Sequence, residues 1–151
     1  MEIENEVTIA THNGSQVARQ HNLRNPKVIC KEDHIDPEGH RDLTGQPNEG
    51  ILAFAKYLAQ KHVPVWIRHV VVPGITDDPG QLTRLGDFIG RLPNVQALDV
   101  LPYHVMGVSK YKELGIDYPL EGVPAATQSQ AKEAKKIILT AFWKARRQLA
   151  Q

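Results

Sequence analysis

The run Val-Pro-Val-Trp-Ile-Arg-His-Val-Val-Val at positions 63–72, closed by Pro73-Gly74, constrains this chain more than any other feature. A β-branched run of that length ending at a Pro-Gly turn predicts a strand. It is apolar on both faces except at Arg68 and His69, the pattern of a strand in a parallel sheet covered by helices. The flanking segments agree. Asn48 caps a predicted helix, EGILAFAKYLAQKH, in which Ile51, Leu52, Ala55, Leu58 and Ala59 recur at helical spacing. Asp78-Pro79 opens another, with Leu82, Leu85, Phe88, Ile89 and Leu92 facing inward. Residues 95–101, VQALDVL, form the next strand and stop at Pro102. Strand, helix and strand in that order make a βαβ unit with an expected right-handed crossover. The fold class is α/β.

The outer segments read less sharply. Asp36-Pro37-Glu38 predicts a short helix that ends near Gly45. Residues 105–126, with Gly107, Gly115, Pro119, Gly122 and Pro124, read as loop. A last helix begins near Ser129 and turns Ala134, Ile137, Ile138, Ala141, Phe142, Ala145 and Leu149 inward. Its other face carries Lys132, Lys135, Lys136, Lys144, Arg146 and Arg147, a solvated face or a dock for an acidic partner. Residues 1–29 are rich in Asn, Gln, Glu and Arg and hold no period for long, so poor order is expected there, with VTIA as a short strand.

The 18 basic and 17 acidic residues nearly cancel, which argues against a nucleic-acid or membrane-surface binder. No apolar run approaches the roughly 18 residues that span a bilayer, and the amino terminus lacks the pattern of a signal peptide. A soluble, cytoplasmic protein is the expectation. Cys30 is the only cysteine, so neither an intrachain disulfide nor an all-cysteine metal site can form.

Ligands of parallel α/β sheets bind at the carboxyl ends of the strands. Arg68 and His104 lie near two such ends. Alternation puts Trp66, Arg68, Val70 and Val72 on one face of their strand and Val65, Ile67, His69 and Val71 on the other. An arginine within an apolar strand needs a partner, either a ligand carboxylate held by its fork or a protein acid such as Asp99 on the neighbouring strand. His104 either binds a ligand or hydrogen-bonds the Gly107 turn. His34, Asp36, Glu38 and His40 have metal-ligand chemistry, but the acids suit a helix start and the histidine spacing fits no standard motif. Cys30 beside Lys31 is a candidate for a lowered thiol pKa or an incidental residue.

The strings HRDLTG (40–45), NEGILAFAKYLAQKHVPVWIRHVVVPG (48–74), LGDFIGRLPNVQALDVLPYH (85–104) and GVSKYKELGIDYPLEGV (107–123), in this order, resemble the carboxy-terminal part of pyruvate formate-lyase activating enzymes. The likeness covers roughly residues 34–145. It implies a partial (β/α) barrel fragment of radical-SAM type, with parallel strands and flanking helices. It also implies S-adenosylmethionine and a [4Fe–4S] cluster as cofactors, and a glycyl-radical enzyme such as pyruvate formate-lyase as partner. By the same resemblance Arg68 contacts the methionine carboxylate, Val70 packs near the adenosine and His104 hydrogen-bonds the cofactor. The loop 107–123 and the last helix would lie beside the path of the partner's glycine loop.

The departures matter as much. The family's CxxxCxxC motif has no counterpart, and three thiolates must hold its cluster. The family's Asp-x-Lys strand end falls on Lys31 and Asp33, with the charges exchanged. The division expected is therefore residues 1–33, unrelated to the family or poorly ordered, and residues 34–151, the carboxy-terminal half of an activase barrel. Such a chain is expected to be a truncated, inactive form. The alternative is a non-catalytic module that docks to a glycyl-radical enzyme or to a complementing activase half.

Overall fold

A computed structural model of the chain describes residues 34–151, together with the backbone of two strands before them, Glu6–Ile9 and Lys27–Lys31. The element order is β1 (Glu6–Ile9), β2 (Lys27–Lys31), α1 (Pro37–Thr44), α2 (Glu49–Gln60), β3 (Val65–Val71), α3 (Pro79–Gly90), β4 (Val95–Pro102), α4 (Val108–Glu113) and α5 (Gln128–Leu149). The four strands form one parallel sheet in the order β1-β2-β3-β4. The expected α/β class with parallel strands and flanking helices is present.

Local chemistry sets most of the boundaries. Asp36 accepts a hydrogen bond from Gly39 N at 3.2 Å and Pro37 occupies the first turn of α1. Gly45 ends that helix at φ 76°, a left-handed conformation that costs a glycine least. Asp78 caps α3 in the same way, accepting from Gln81 N at 2.9 Å. Thr127 and Gln130 close a reciprocal capping box at the start of α5.

The core lies on one side of the sheet. Val65, Ile67 and Val71 of β3 are buried together with Ile51, Ala55 and Leu58 of α2, Leu82, Leu85 and Ile89 of α3, and Ala134, Ile138 and Phe142 of α5. Helices α3 and α5 approach very closely because Gly86 and Gly90 present no side chain to the backbone of α5. The opposite face of β3, with Trp66, Arg68 and Val70, is only half-buried. Strict alternation between the two faces is what the inward and outward sets of a strand require.

Several expectations are corrected. Asn48 stands at the start of α2 but its side chain does not cap it; it donates instead to the carbonyls of His34 and Ile35. Leu149 is exposed rather than inward; it lies four residues beyond Ala145, the last buried residue of α5. Arg146 does not stand on a solvated face. It reaches back from α5 to the carbonyls of Gly90 (3.1 Å) and Leu92 (2.8 Å), satisfying carbonyls at the end of α3. The loop 105–126 contains the short helix α4. In the amino-terminal segment the strand read as VTIA appears as Glu6–Ile9, and Lys27–Lys31 adds a strand with no clear sequence signal. The other residues of 1–33 lie outside the described residues.

Candidate functional site

The candidate site lies at the carboxyl ends of β3 and β4. The first corner is built by Thr76, which is buried and bridges the strand end. Its hydroxyl accepts from Val72 N and donates to Val70 O, both at 2.7 Å. Gly74 adopts φ 76° in the Pro-Gly turn, and its amide is held by Asp77 at 2.8 Å. This fixed corner closes β3 just beyond Val70.

Arg68 and Asp99 are paired by backbone register across β3 and β4. Arg68 Nη2 donates to Asp99 Oδ2 at 3.3 Å, and the two side chains are 32% and 41% exposed. Of the two partners that the sequence offered Arg68, the protein acid is therefore present. It does not use up the guanidinium. Nε is enclosed and has no hydrogen-bond partner among the described residues. A buried donor left unmade costs about 1–3 kcal/mol, so the group is under-satisfied as it stands. Val70 follows on the same half-open face. On the core face His69 is buried, with Nε2 at 3.3 Å from Thr76 O, so it serves the corner rather than the open face.

His104 lies two residues past the end of β4 and is exposed. Its neighbour Tyr103 is a node that the sequence did not single out. Tyr103 N donates to Val71 O, its carbonyl accepts from Ala126 N, and its hydroxyl bonds that of Tyr118. Tyr118 in turn meets Tyr111 edge-on at 4.9 Å between ring centroids. Together they fasten the loop 105–123 to the strand ends around a cavity of about 430 Å³. The only hint in the sequence was that Tyr103 continues the alternation of Asp99 and Leu101 beyond Pro102.

Partial burial, and then the bond to Tyr103, push the Tyr118 phenol up to about 12. The neutral phenol is thus the form that the folded loop prefers. The stabilisation is complete below the ordinary tyrosine value of about 10 and is lost as pH rises through the folded value. Tyrosinate absorbance is expected to show one phenol that titrates late. Loop order, followed by amide exchange at 105–123, is expected to fall between those two pH values. The variant Tyr118→Phe should remove the late titration.

Three of the four metal-like residues of the sequence are otherwise employed, and the fourth, Glu38, is exposed in the first turn of α1. His34 Nδ1 accepts from Asp36 N at 3.1 Å, His40 Nδ1 lies 2.8 Å from Gln46 O, and Asp36 caps α1. Among the described residues no group of three or more His, Cys, Asp or Glu could hold a metal ion. No helix among them is long and apolar enough to cross a membrane. Lys31 stands opposite Arg68 in the β2–β3 register, while Asp33 lies outside the described residues.

These features define a parallel α/β layer with a polar pair on the half-open face of β3 and β4 and a histidine just past the end of β4. Its fold is similar to a solved domain of the pyruvate-formate lyase-activating enzyme from Bacteroides vulgatus. The TM-score is 0.60 at 18% identity, over 76% of this chain and 62% of that one. In sequence, the chain is homologous to the carboxy-terminal part of pyruvate formate-lyase-activating enzymes. It is 53% identical over 117 residues to the Listeria monocytogenes protein, covering 78% of this chain and 47% of that protein. It is 50% identical over 113 residues to that of Streptococcus mutans, covering 75% and 43%. The corresponding figures for Staphylococcus epidermidis are 50% over 111 residues, 74% and 44%. The chain thus spans about half the length of the curated relatives it matches. No family model matches it.

Proposed function

We propose that this chain carries the carboxylate-anchoring part of an S-adenosylmethionine cleft of radical-SAM type, and that by itself it does not generate a glycyl radical. The observation that carries the first part is Arg68. It sits on the half-open face of β3, bonds Asp99 through Nη2 and keeps Nε without a hydrogen-bond partner among the described residues. A guanidinium so placed suits a ligand carboxylate, which it can hold through charge-assisted bonds. In this reading Val70 supplies an apolar wall for the adenosine and His104 a hydrogen bond to the cofactor. Residues 34–151 are the activase-like part, a portion of a partial (β/α) barrel.

The second part rests on the donor set. A [4Fe–4S] cluster with one open iron needs three thiolates, and Cys30 is the only cysteine. The residues present do not fit that cluster. The glycyl-radical enzyme that the relatives' name indicates, pyruvate formate-lyase, is the proposed partner.

Two measurements test the reading. Anaerobic incubation of the chain with iron and sulfide is expected to give no cluster absorption and no cleavage of S-adenosylmethionine; a bound [4Fe–4S] cluster would overturn the second part. Calorimetry with S-adenosylmethionine is expected to show weak binding that Arg68→Ala lowers by roughly 10-fold or more, the value of hydrogen bonds to a charged group. Binding indifferent to Arg68 would overturn the first part.

A further inference from the structure

We propose that Asp99 is the positioning residue of the Arg68 anchor, an inference that rests on the carboxylate reading above. The two residues are direct partners in the β3–β4 register, so they share a sheet face by construction of the backbone. The 3.3 Å contact joins one oxygen of Asp99 to one terminal nitrogen of Arg68. That contact fixes the rotation of the guanidinium through Nη2, while Nε has no hydrogen-bond partner among the described residues.

Stability does not account for the pair. Both side chains are about a third or more exposed, and ion pairs of that kind contribute little to folding. Orientation does account for it. An arginine side chain has many rotamers, and on a half-open face a free guanidinium would sample them in solvent. Asp99 orders the group beforehand, so a ligand carboxylate does not bear that cost on binding. Asp99 acts through Arg68 and need not touch the ligand.

The test uses the full chain with Asp99→Asn, Asp99→Glu, Arg68→Lys and the double variant Arg68→Lys/Asp99→Asn. The first readout needs no ligand. With labelled arginine, the Nη protons of Arg68 are expected to show hindered rotation in the parent chain, averaged motion in Asp99→Asn and restored hindrance in Asp99→Glu. Averaged motion in the parent, or hindrance unchanged in Asp99→Asn, would overturn the proposal. The second readout is calorimetry with S-adenosylmethionine. Asp99→Asn is expected to weaken binding about 3–10-fold, with the thermal midpoint almost unmoved. The double variant should bind no more weakly than Arg68→Lys alone, to within about twofold. Full additivity, or an unchanged affinity in Asp99→Asn, would also overturn it. Should the parent chain take up no S-adenosylmethionine, the carboxylate reading fails, and the rotation measurement alone then decides whether Asp99 orients Arg68.

Discussion

Replacing Gly86 with alanine is expected to destabilise the chain by about 3 kcal/mol, although alanine is the better helix former by about 1 kcal/mol. A Cβ at Gly86 would stand 2.3 Å from the carbonyl oxygen of Ile138 and 2.7 Å from Ala141 Cβ. Neither atom belongs to a flexible side-chain end, so α3 and α5 would have to separate. Gly90, one turn on, faces the same constraint, with Phe142 O at 2.5 Å and Ala145 Cβ at 2.9 Å. Leu82, Leu85 and Ile138, buried at that interface, would lose contact as the helices part. For a chain of this size the midpoint of thermal unfolding is expected to fall by roughly 6–12 °C. Denaturant unfolding of the single variants and the pair measures the effect. An unchanged or raised midpoint for Gly86→Ala would show that propensity outweighs the close approach. The site is coupled to this packing, because α3 is the connection that sets β4, and with it Asp99, beside β3.

The sequence announced the elements whose cause is local and hid those whose cause is tertiary. Helix α1 was legible because Asp36, Pro37 and Gly45 act within their own turns. Strand β3 was legible because five of its seven positions are apolar and four of those five are β-branched. What alternation could not say was that only one of its faces is covered, since Trp66 and Val70 are as apolar as Ile67 and Val71. Arg68 was found by its charge in an apolar run, and its pairing with Asp99 depended on a register that no local signal fixes. Arg146 read as one more surface cation, because the carbonyls it satisfies lie over 50 residues away. Asn48 misled for a related reason: its type and position suit a cap, while its actual acceptors come from the segment that leads out of β2.

That displaced role of Asn48 makes Asn48→Asp the substitution with the largest expected effect outside the helix interface. Asn48 is fully buried; its Nδ2 donates to Ile35 O at 2.8 Å and to His34 O at 3.2 Å, and its Oδ1 has no partner among the described residues. A carboxylate of the same shape would set oxygen against two carbonyl oxygens and bury a charge where only those carbonyls are in hydrogen-bond reach among the described residues. The expected loss is about 3–5 kcal/mol at neutral pH. Desolvation and the two carbonyls would raise the introduced carboxyl above the ordinary aspartate value of about 4. The variant therefore keeps most of its stability below that value, where the group is protonated in both states, and loses it as pH rises through the folded value. Asn48→Ala separates the two causes. It abandons the same carbonyls but buries no charge, so its deficit should not change over that range. Denaturant midpoints of the three proteins at acid and neutral pH carry the comparison. A deficit of equal size at both pH values in Asn48→Asp would mean that the charge finds water, and hence that the corner joining β2 to α1 opens readily. A deficit confined to neutral pH would mean that it stays closed, with residues 34 and 35 held against the start of α2.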